Sequence, residues 1–321
     1  AGAAAGNVSV KKIREARSGT MGQRLKREWH RNGILYLMAV PILAYFICFC
    51  YLPMFGIVIA FKNFQISKGV FDSAWVGLKY FREFFESMYF GRILRNTLLI
   101  SLYDILICFP APILFALLLN ELRQARFKKV VQTVTYLPHF ISLVVICGII
   151  TDFFSSNGLI TSIIAALGGE RTNYIGSAGA FRSIYIGSNL WQTIGWSSII
   201  YLAAITSIDQ ELYEAAEIDG AGKLRQVLHI TLPGISTTIV ILLIMRLGQI
   251  LSVGYEKIIL LYNEAIYSTS DVISTFVYRK GLQEFNYSFS TAVGLFNSVI
   301  NLFFLFGANF LSKRATGSSL W

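Results

Sequence analysis

Residues 214–233 read EAAEIDGAGKLRQVLHITLP, a polar run set between two long apolar stretches. Glu214, Ala215, Ala216 and Glu217 favour a helix, Asp219-Gly220 interrupts it, and a second helical run is predicted from Ala221 to Ile230. Pro233 suits the first turn of the helix that follows. Two short helices meeting at a glycine make a compact, exposed knob. Its small side chains, Ala215, Ala216, Gly220 and Ala221, permit close approach by another surface, while Glu214 and Asp219 offer charge to basic groups or to helix ends.

The surroundings of this knob are apolar. Of the 321 residues, 55% are hydrophobic and only 14% charged, too few charges for a soluble domain of this size. Six segments are long enough to cross about 30 Å of hydrocarbon at about 1.5 Å per residue. They lie near 34–61, 91–120, 128–154, 183–207, 234–256 and 288–311. The expected fold is therefore all-α and polytopic, with six transmembrane helices. Residues 1–33 form a basic tail with eight Lys or Arg against two acids, and residues 34–321 form the transmembrane domain, with the knob inside a loop at 208–233.

Positive flanks resist translocation and so fix orientation. With the N-terminus inside, 16 of the 28 Lys and Arg fall on the cytoplasmic side, eleven fall outside, and Arg246 lies within a span. This bias makes both termini and the knob cytoplasmic. The net charge of +10 is thereby placed along a membrane topology, with no basic soluble domain to hold nucleic acid. The outer stretches 62–90 and 257–287 are aromatic, the first suggesting amphipathic structure at the membrane interface. Residues 155–182 are rich in glycine, with a short apolar helix expected from Leu159 to Leu167. Cys48, Cys50, Cys108 and Cys147 lie in apolar segments without metal-like spacing to a histidine, and no nucleophile–base arrangement is visible, so no metal, cofactor or catalytic residue is expected. Gly222-Lys223 imitates the end of a phosphate-binding loop. Glu217 stands where that loop needs its first glycine, and Leu224 where it needs a metal-binding hydroxyl.

Polar side chains at membrane depth are few and therefore informative. Arg246 and Gln249 share a face of the fifth span, with Tyr255 farther along; Asn297 and Asn301 are four apart on the sixth, and Gln192 and Trp196 four apart on the fourth. Amides and a guanidinium beside aromatic planes suit a sugar, whose hydroxyls seek polar partners and whose C–H face stacks on indole or phenol. The same amides also glue membrane helices together. Asp104 in the second span is the candidate counter-ion for Arg246, which would make both structural; an Arg246 without one would favour an acidic sugar.

Glu214-Ala215-Ala216, then Gly220 and then Ile230, Leu232 and Pro233 follow the spacing of the EAA loop in permease subunits of binding-protein-dependent ABC importers. The segments YLPMFGIVIAFKNF (51–64), FPAPILFALLLNE (109–121), YLPHFIS (136–142), GWSSIIYLAAI (195–205) and YSFSTAVGLFNSV (287–299) extend the resemblance from about residue 30 to the C-terminus, toward the polysaccharide-type branch of sugar importer permeases. That resemblance implies a maltose-permease-like, type I importer fold in the bacterial cytoplasmic membrane. It implies a second homologous permease, two ATP-binding subunits that hold ATP and Mg, an extracytoplasmic solute-binding protein and an oligosaccharide substrate. Glu214, Ala215, Ala216, Asp219, Gly220 and Ala221 would couple the permease to an ATPase subunit, driving alternating access. A permease for a non-sugar solute and an ATP-independent facilitator are the alternatives.

Overall fold

The computed structural model describes residues 21–317, 319 and 320. Most of the basic tail expected over residues 1–33 lies outside the described residues, as do positions 318 and 321. The chain divides after Val58 into two units. The first carries helix α1, Met21–Tyr45, continued by a wide helical turn at Phe46–Tyr51. Leu37, Phe49 and Phe55 are exposed, as befits a helix whose backbone bonds are internal and whose solvent is lipid. Pro53 offers no N–H to the carbonyl of Phe49 and crowds it, which accounts for the widened turn just before it.

The second unit opens with an antiparallel hairpin, β1 Lys62–Gln65 and β2 Ser73–Trp75, with Lys62 opposite Trp75. Helix α2, Lys79–Glu86, follows and buries Tyr80 and Phe84, four residues apart and so on one face. The ring of Phe84 meets Phe289 and Phe296 at 6.2 and 5.4 Å. The aromatic stretch 62–90 thus contains the amphipathic element expected of it, preceded by strands that its composition did not announce.

Helices α3, Phe90–Tyr103, and α4, Pro110–Glu121, form one long helix with a wide turn at Asp104–Cys108 between them. Helix α5, Ala125–Tyr136, runs through a tight turn to Phe140, and α6, Leu143–Phe154, starts anew after an extended Ser142. The third span, expected over 128–154, is therefore interrupted shortly after Pro138, between Phe140 and Leu143. Helix α7, Leu159–Ala166, is the short apolar helix expected there. Helix α8, Phe181–Thr206, leads into the knob, α9 Gln210–Ile218 and α10 Lys223–Gln226. The helical path from Lys223 to Gly234 then bends by 60° into α11, Ser236–Leu247. Helices α12 Tyr255–Leu261, α13 Ile273–Tyr278 and α14 Tyr287–Thr316 complete the unit.

Among the described residues, four helices are long and apolar enough to cross a membrane, or five if the bent pair counts as one. Helix α8, at 26 residues, is about 39 Å long and adequate in length. Ser188, Asn189, Gln192, Thr193, Ser197 and Ser198 dilute its apolar content. It sits at the centre of the packing. A Cβ at Gly195 would fall 2.3 Å from the carbonyl oxygen of Thr135, so the glycine is what lets α8 approach the backbone of α5 this closely.

The fifth span, expected helical over 234–256, also ends early, at Leu247. Residues 248–254 are non-helical: the amides of Gly248, Gln249, Ile250 and Ser252 bond backbone carbonyls three or four residues back, and neighbouring side chains take up other groups. Asn301 Oδ1 accepts from the amide of Leu251 at 2.9 Å, Ser101 Oγ donates to the carbonyl of Ile250, and Ser274 Oγ donates to that of Val253 at 3.2 Å. Non-helical backbone at membrane depth is tolerated only where protein or a water-filled cavity satisfies it.

Candidate functional site

Pro110 and Pro112 lack the N–H groups that would close bonds to Leu106 and Cys108, and the helix answers by widening. The amide of Phe109 reaches back five residues to the carbonyl of Asp104 at 3.1 Å. Asp104 stands at the head of that turn. Its carboxylate accepts from a terminal nitrogen of the Arg246 guanidinium and, at 2.9 Å, from Asn189 Nδ2. The carboxylate side chain is 10% exposed and the arginine 45% exposed, so the pair has one enclosed member and one open one.

The open side faces a cavity of about 720 Å³ between α3–α4, α8 and the segment from α11 to Gly254. Asp104, Tyr185, Asn189, Trp196, Arg246 and Gln249 supply its polar and aromatic wall, with Ser101, Thr193, Ser197 and Ser252 adding hydroxyls. Trp196 stacks on the imidazole of His139 at 4.6 Å with the rings within 6° of parallel, and Phe140 meets it edge-on. The indole is thereby held flat, with 43% of the residue still exposed.

Three of the seven sequence-derived solute candidates, Trp196, Arg246 and Gln249, line this cavity together. The other four stand off it. Gln192 accepts from Lys257 Nζ at 3.2 Å, and Tyr255 packs on Tyr278. Asn301 holds Ser252 Oγ at 2.8 Å as well as the Leu251 amide, and Asn297 lies 3.5 Å from the same hydroxyl. These asparagines brace the break after α11 from behind. Tyr185, Asn189, Thr193 and Ser197 were missed by sequence reading. Their four-residue spacing along α8 is the signal that could have found them, since it puts them on one helical face.

The knob is built as two helices. Asp209 caps α9 by accepting from the Glu211 amide at 3.0 Å. At the other end Gly220 adopts φ +74°, while the Ala221 amide bonds the Ala216 carbonyl at 2.8 Å and the Gly220 amide bonds that of Glu217 at 3.1 Å. This is a Schellman cap, and the left-handed residue within it is a glycine for steric reasons. Lys223 Nζ joins the helices through Glu217 Oε1 at 2.9 Å. That ammonium holds the Glu217 carboxyl below its usual range, first by its hydrogen bond and then by its charge. The second run starts at Lys223, two residues later than the sequence predicts, because Gly222 is extended. Glu214, Ala215, Asp219 and Gly220 are exposed and Ala216 and Ala221 half-buried, beside an outward apolar face at Ile218 and Leu224.

The family model for the inner membrane component of binding-protein-dependent transport systems matches residues 84–317. The chain belongs to that family. It is similar to the Bacillus subtilis protein LplB, 45% identical over 88% of this chain and 90% of the relative. It is also similar to the Bacillus subtilis polygalacturonan/rhamnogalacturonan transport system permease protein YteP, 46% identical over 91% of each. Among solved structures it resembles a chain of a bacterial ABC transporter involved in import of the acidic polysaccharide alginate, with a TM-score of 0.84, 44% identity and coverage of 91% of this chain and 99% of that one. The all-α permease fold expected from the sequence is the fold found. This family member is a multi-pass membrane subunit of an importer, working with a homologous permease, separate ATPase subunits and a solute-binding protein, and its own role is non-catalytic.

Proposed function

We propose that this permease carries an acidic oligosaccharide inward across the cytoplasmic membrane, with both termini and the knob on the cytoplasmic side. The observation that carries the substrate class is the near full-length similarity, at 44–46% identity, to two proteins whose solutes are named as alginate and as polygalacturonan/rhamnogalacturonan. Uronic acids are common to alginate and polygalacturonan. The cavity is compatible with such a solute: an indole plate for the sugar ring, hydroxyls and amides for its oxygens, and a half-exposed guanidinium.

The route by which sequence alone favoured an acidic sugar, an Arg246 without a counter-ion, does not hold, because Asp104 pairs with it. Arg246 nevertheless keeps donors free of that bond, as a guanidinium carries five. In this reading Trp196, Arg246 and Gln249 meet the solute directly, joined by Asn189 and Thr193. Glu214, Ala215, Ala216, Asp219, Gly220 and Ala221 form the part of the knob that enters an ATPase subunit, with Ile218 and Leu224 adding apolar area. ATP and Mg reside on that partner. Closure of the ATPase pair then moves the knob, and the bend at Gly234–Ser236 passes the motion to α11 and Arg246.

The test is ATP hydrolysis by the reconstituted importer with its binding protein, across uronate oligosaccharides and neutral ones of equal length. Stimulation by uronates well above that by neutral sugars is expected. Equal stimulation by both would overturn the acidic assignment, and stimulation by no glycan would overturn the sugar assignment.

A further inference from the structure

Helix α12 has the sequence YEKIILL, and its lysine is not at the surface. Lys257 is 5% exposed. Its ammonium sits 3.2 Å from Gln192 Oε1 and 5.9 Å from the centroid of the Tyr185 ring. Among the described residues it takes part in no ion pair, whereas Arg246 has Asp104 and Arg279 has Asp271. A buried lysine is ordinarily paired, because desolvating an ammonium is costly and a neutral amide repays only part of the loss.

Its location bears on the cavity. Gly254, immediately before α12, and Tyr185, under the ammonium, are both cavity residues, at the end of α8 farther from the knob. Gln192 stands on α8 three residues from Asn189 and four from Trp196, at the edge of the cavity-facing stripe. Counting charge around this wall, Asp104 balances Arg246, and Lys257 is left over. The uncompensated positive charge next to the cavity is therefore the lysine's, although Arg246 is the cation in view.

We propose that Lys257 is a specificity residue of the translocation path, supplying the positive potential that accepts a carboxylate of the passing sugar, with Gln192 holding the ammonium until the anion arrives. This rests on the acidic-oligosaccharide reading above. The flexible four-carbon stem of lysine lets the ammonium swing past Tyr185 to the solute, which a rigid guanidinium fork at this site would do less readily. Arg246, already committed to Asp104, then orients the sugar while Lys257 discriminates by charge.

The experiment measures equilibrium binding of a uronate tetrasaccharide and of its carboxyl-reduced counterpart to the fully assembled importer in nanodiscs, without the binding protein, so that the permease's own preference is read. Wild type, Lys257→Met and Lys257→Arg are compared. Lys257→Met is expected to weaken uronate binding roughly tenfold, the scale of one partly screened charge pair, and to change binding of the reduced sugar by less than about twofold. Lys257→Arg, which keeps the charge but swings less readily, is expected to show a uronate preference between those of wild type and Lys257→Met. The Tm of the Lys257→Met complex is expected to equal or exceed that of wild type, since an apolar isostere replaces a buried unpaired charge. Equal loss for both sugars, or a lowered Tm with unchanged preference, would make Lys257 a packing residue and overturn the proposal. If wild type itself binds both sugars equally, or neither, the acidic-solute reading falls and takes this inference with it. A wild-type preference for uronate that survives in Lys257→Met removes Lys257 alone.

Discussion

Among the described residues two aspartates hold arginines, and they do it differently. Asp271 is fully enclosed: its carboxylate accepts from Arg92 at 3.2 Å, from Arg279 at 2.8 Å and from Thr275 at 3.0 Å, and Asn96 bonds its backbone carbonyl. Asp104, unlike Asp271, sits within a membrane helix; it too meets an arginine, but that arginine is 45% exposed and faces a cavity. In the first cluster every carboxylate oxygen is occupied by protein and the charges knit α3 to the segment around α13. In the second, a donor-rich cation is left open on one side. An ion pair by itself says little about function; the exposure of its cation separates a clamp from a site.

The comparison breaks first at the clamp. Asp271→Ala would leave two arginines beside an emptied, enclosed position, and the loss of stability is expected to be about 3–5 kcal/mol, read as a lowered Tm of the assembled importer. Wild-type Tm in that variant would mean that water screens the cluster and that the contrast is false. A smaller effect is expected at the cavity, and an asymmetric one. Arg246→Leu strands a mostly enclosed carboxylate with Asn189 as its remaining donor, for about 2–3 kcal/mol, whereas Asp104→Ala strands a cation that can turn to water, for about 1 kcal/mol. Both should reduce sugar-stimulated ATP hydrolysis by an order of magnitude or more, while Asp271→Ala should change it in proportion to the folded fraction only.

The knob supplies the mildest cases. Gly220→Ala forces a Cβ into the left-handed region at φ +74°, an expected loss of about 1–2 kcal/mol local to the loop. Its signature would be weakened coupling, seen as ATP hydrolysis that no longer tracks transport, with Tm of the spans unchanged. The exposed Glu217–Lys223 pair is weaker still. Because the folded carboxyl titrates below its usual value, the pair's contribution is present above the unfolded carboxylate range and fades as pH falls through the folded one. Amide-exchange protection at Lys223–Gln226 should decline between about pH 5 and pH 3, and Glu217→Gln should abolish that dependence.

Much of the architecture was legible beforehand because lipid imposes long apolar runs, and the loop's Glu-Ala-Ala and glycine spacing follows from helix propensity and cap sterics that act locally. Breaks were harder to see. The chain at 248–254 reads as apolar helix, LGQILSVG flanking it without a proline, and it unwinds because Ser101, Ser274 and Asn301, remote in sequence, offer its backbone better partners. For the same reason Asn297 and Asn301 were legible as deep polar residues able to glue helices, but the stretch of backbone they brace was not. Helix α8 showed its cavity stripe in a four-residue spacing that its low apolarity tended to hide.

Sequence by itself determined the membrane class, the knob and the presence of a deep Arg246, since each follows from local composition, periodicity and spacing. Only tertiary structure decided that Asp104 is the partner of that arginine, that Trp196 lies flat against His139, and that Lys257 is buried without an acid partner among the described residues. Charge pairing at membrane depth depends on which helices meet, and helices meet through small contacts such as that of Gly195 with the Thr135 carbonyl, whose partner lies 60 positions away in the chain.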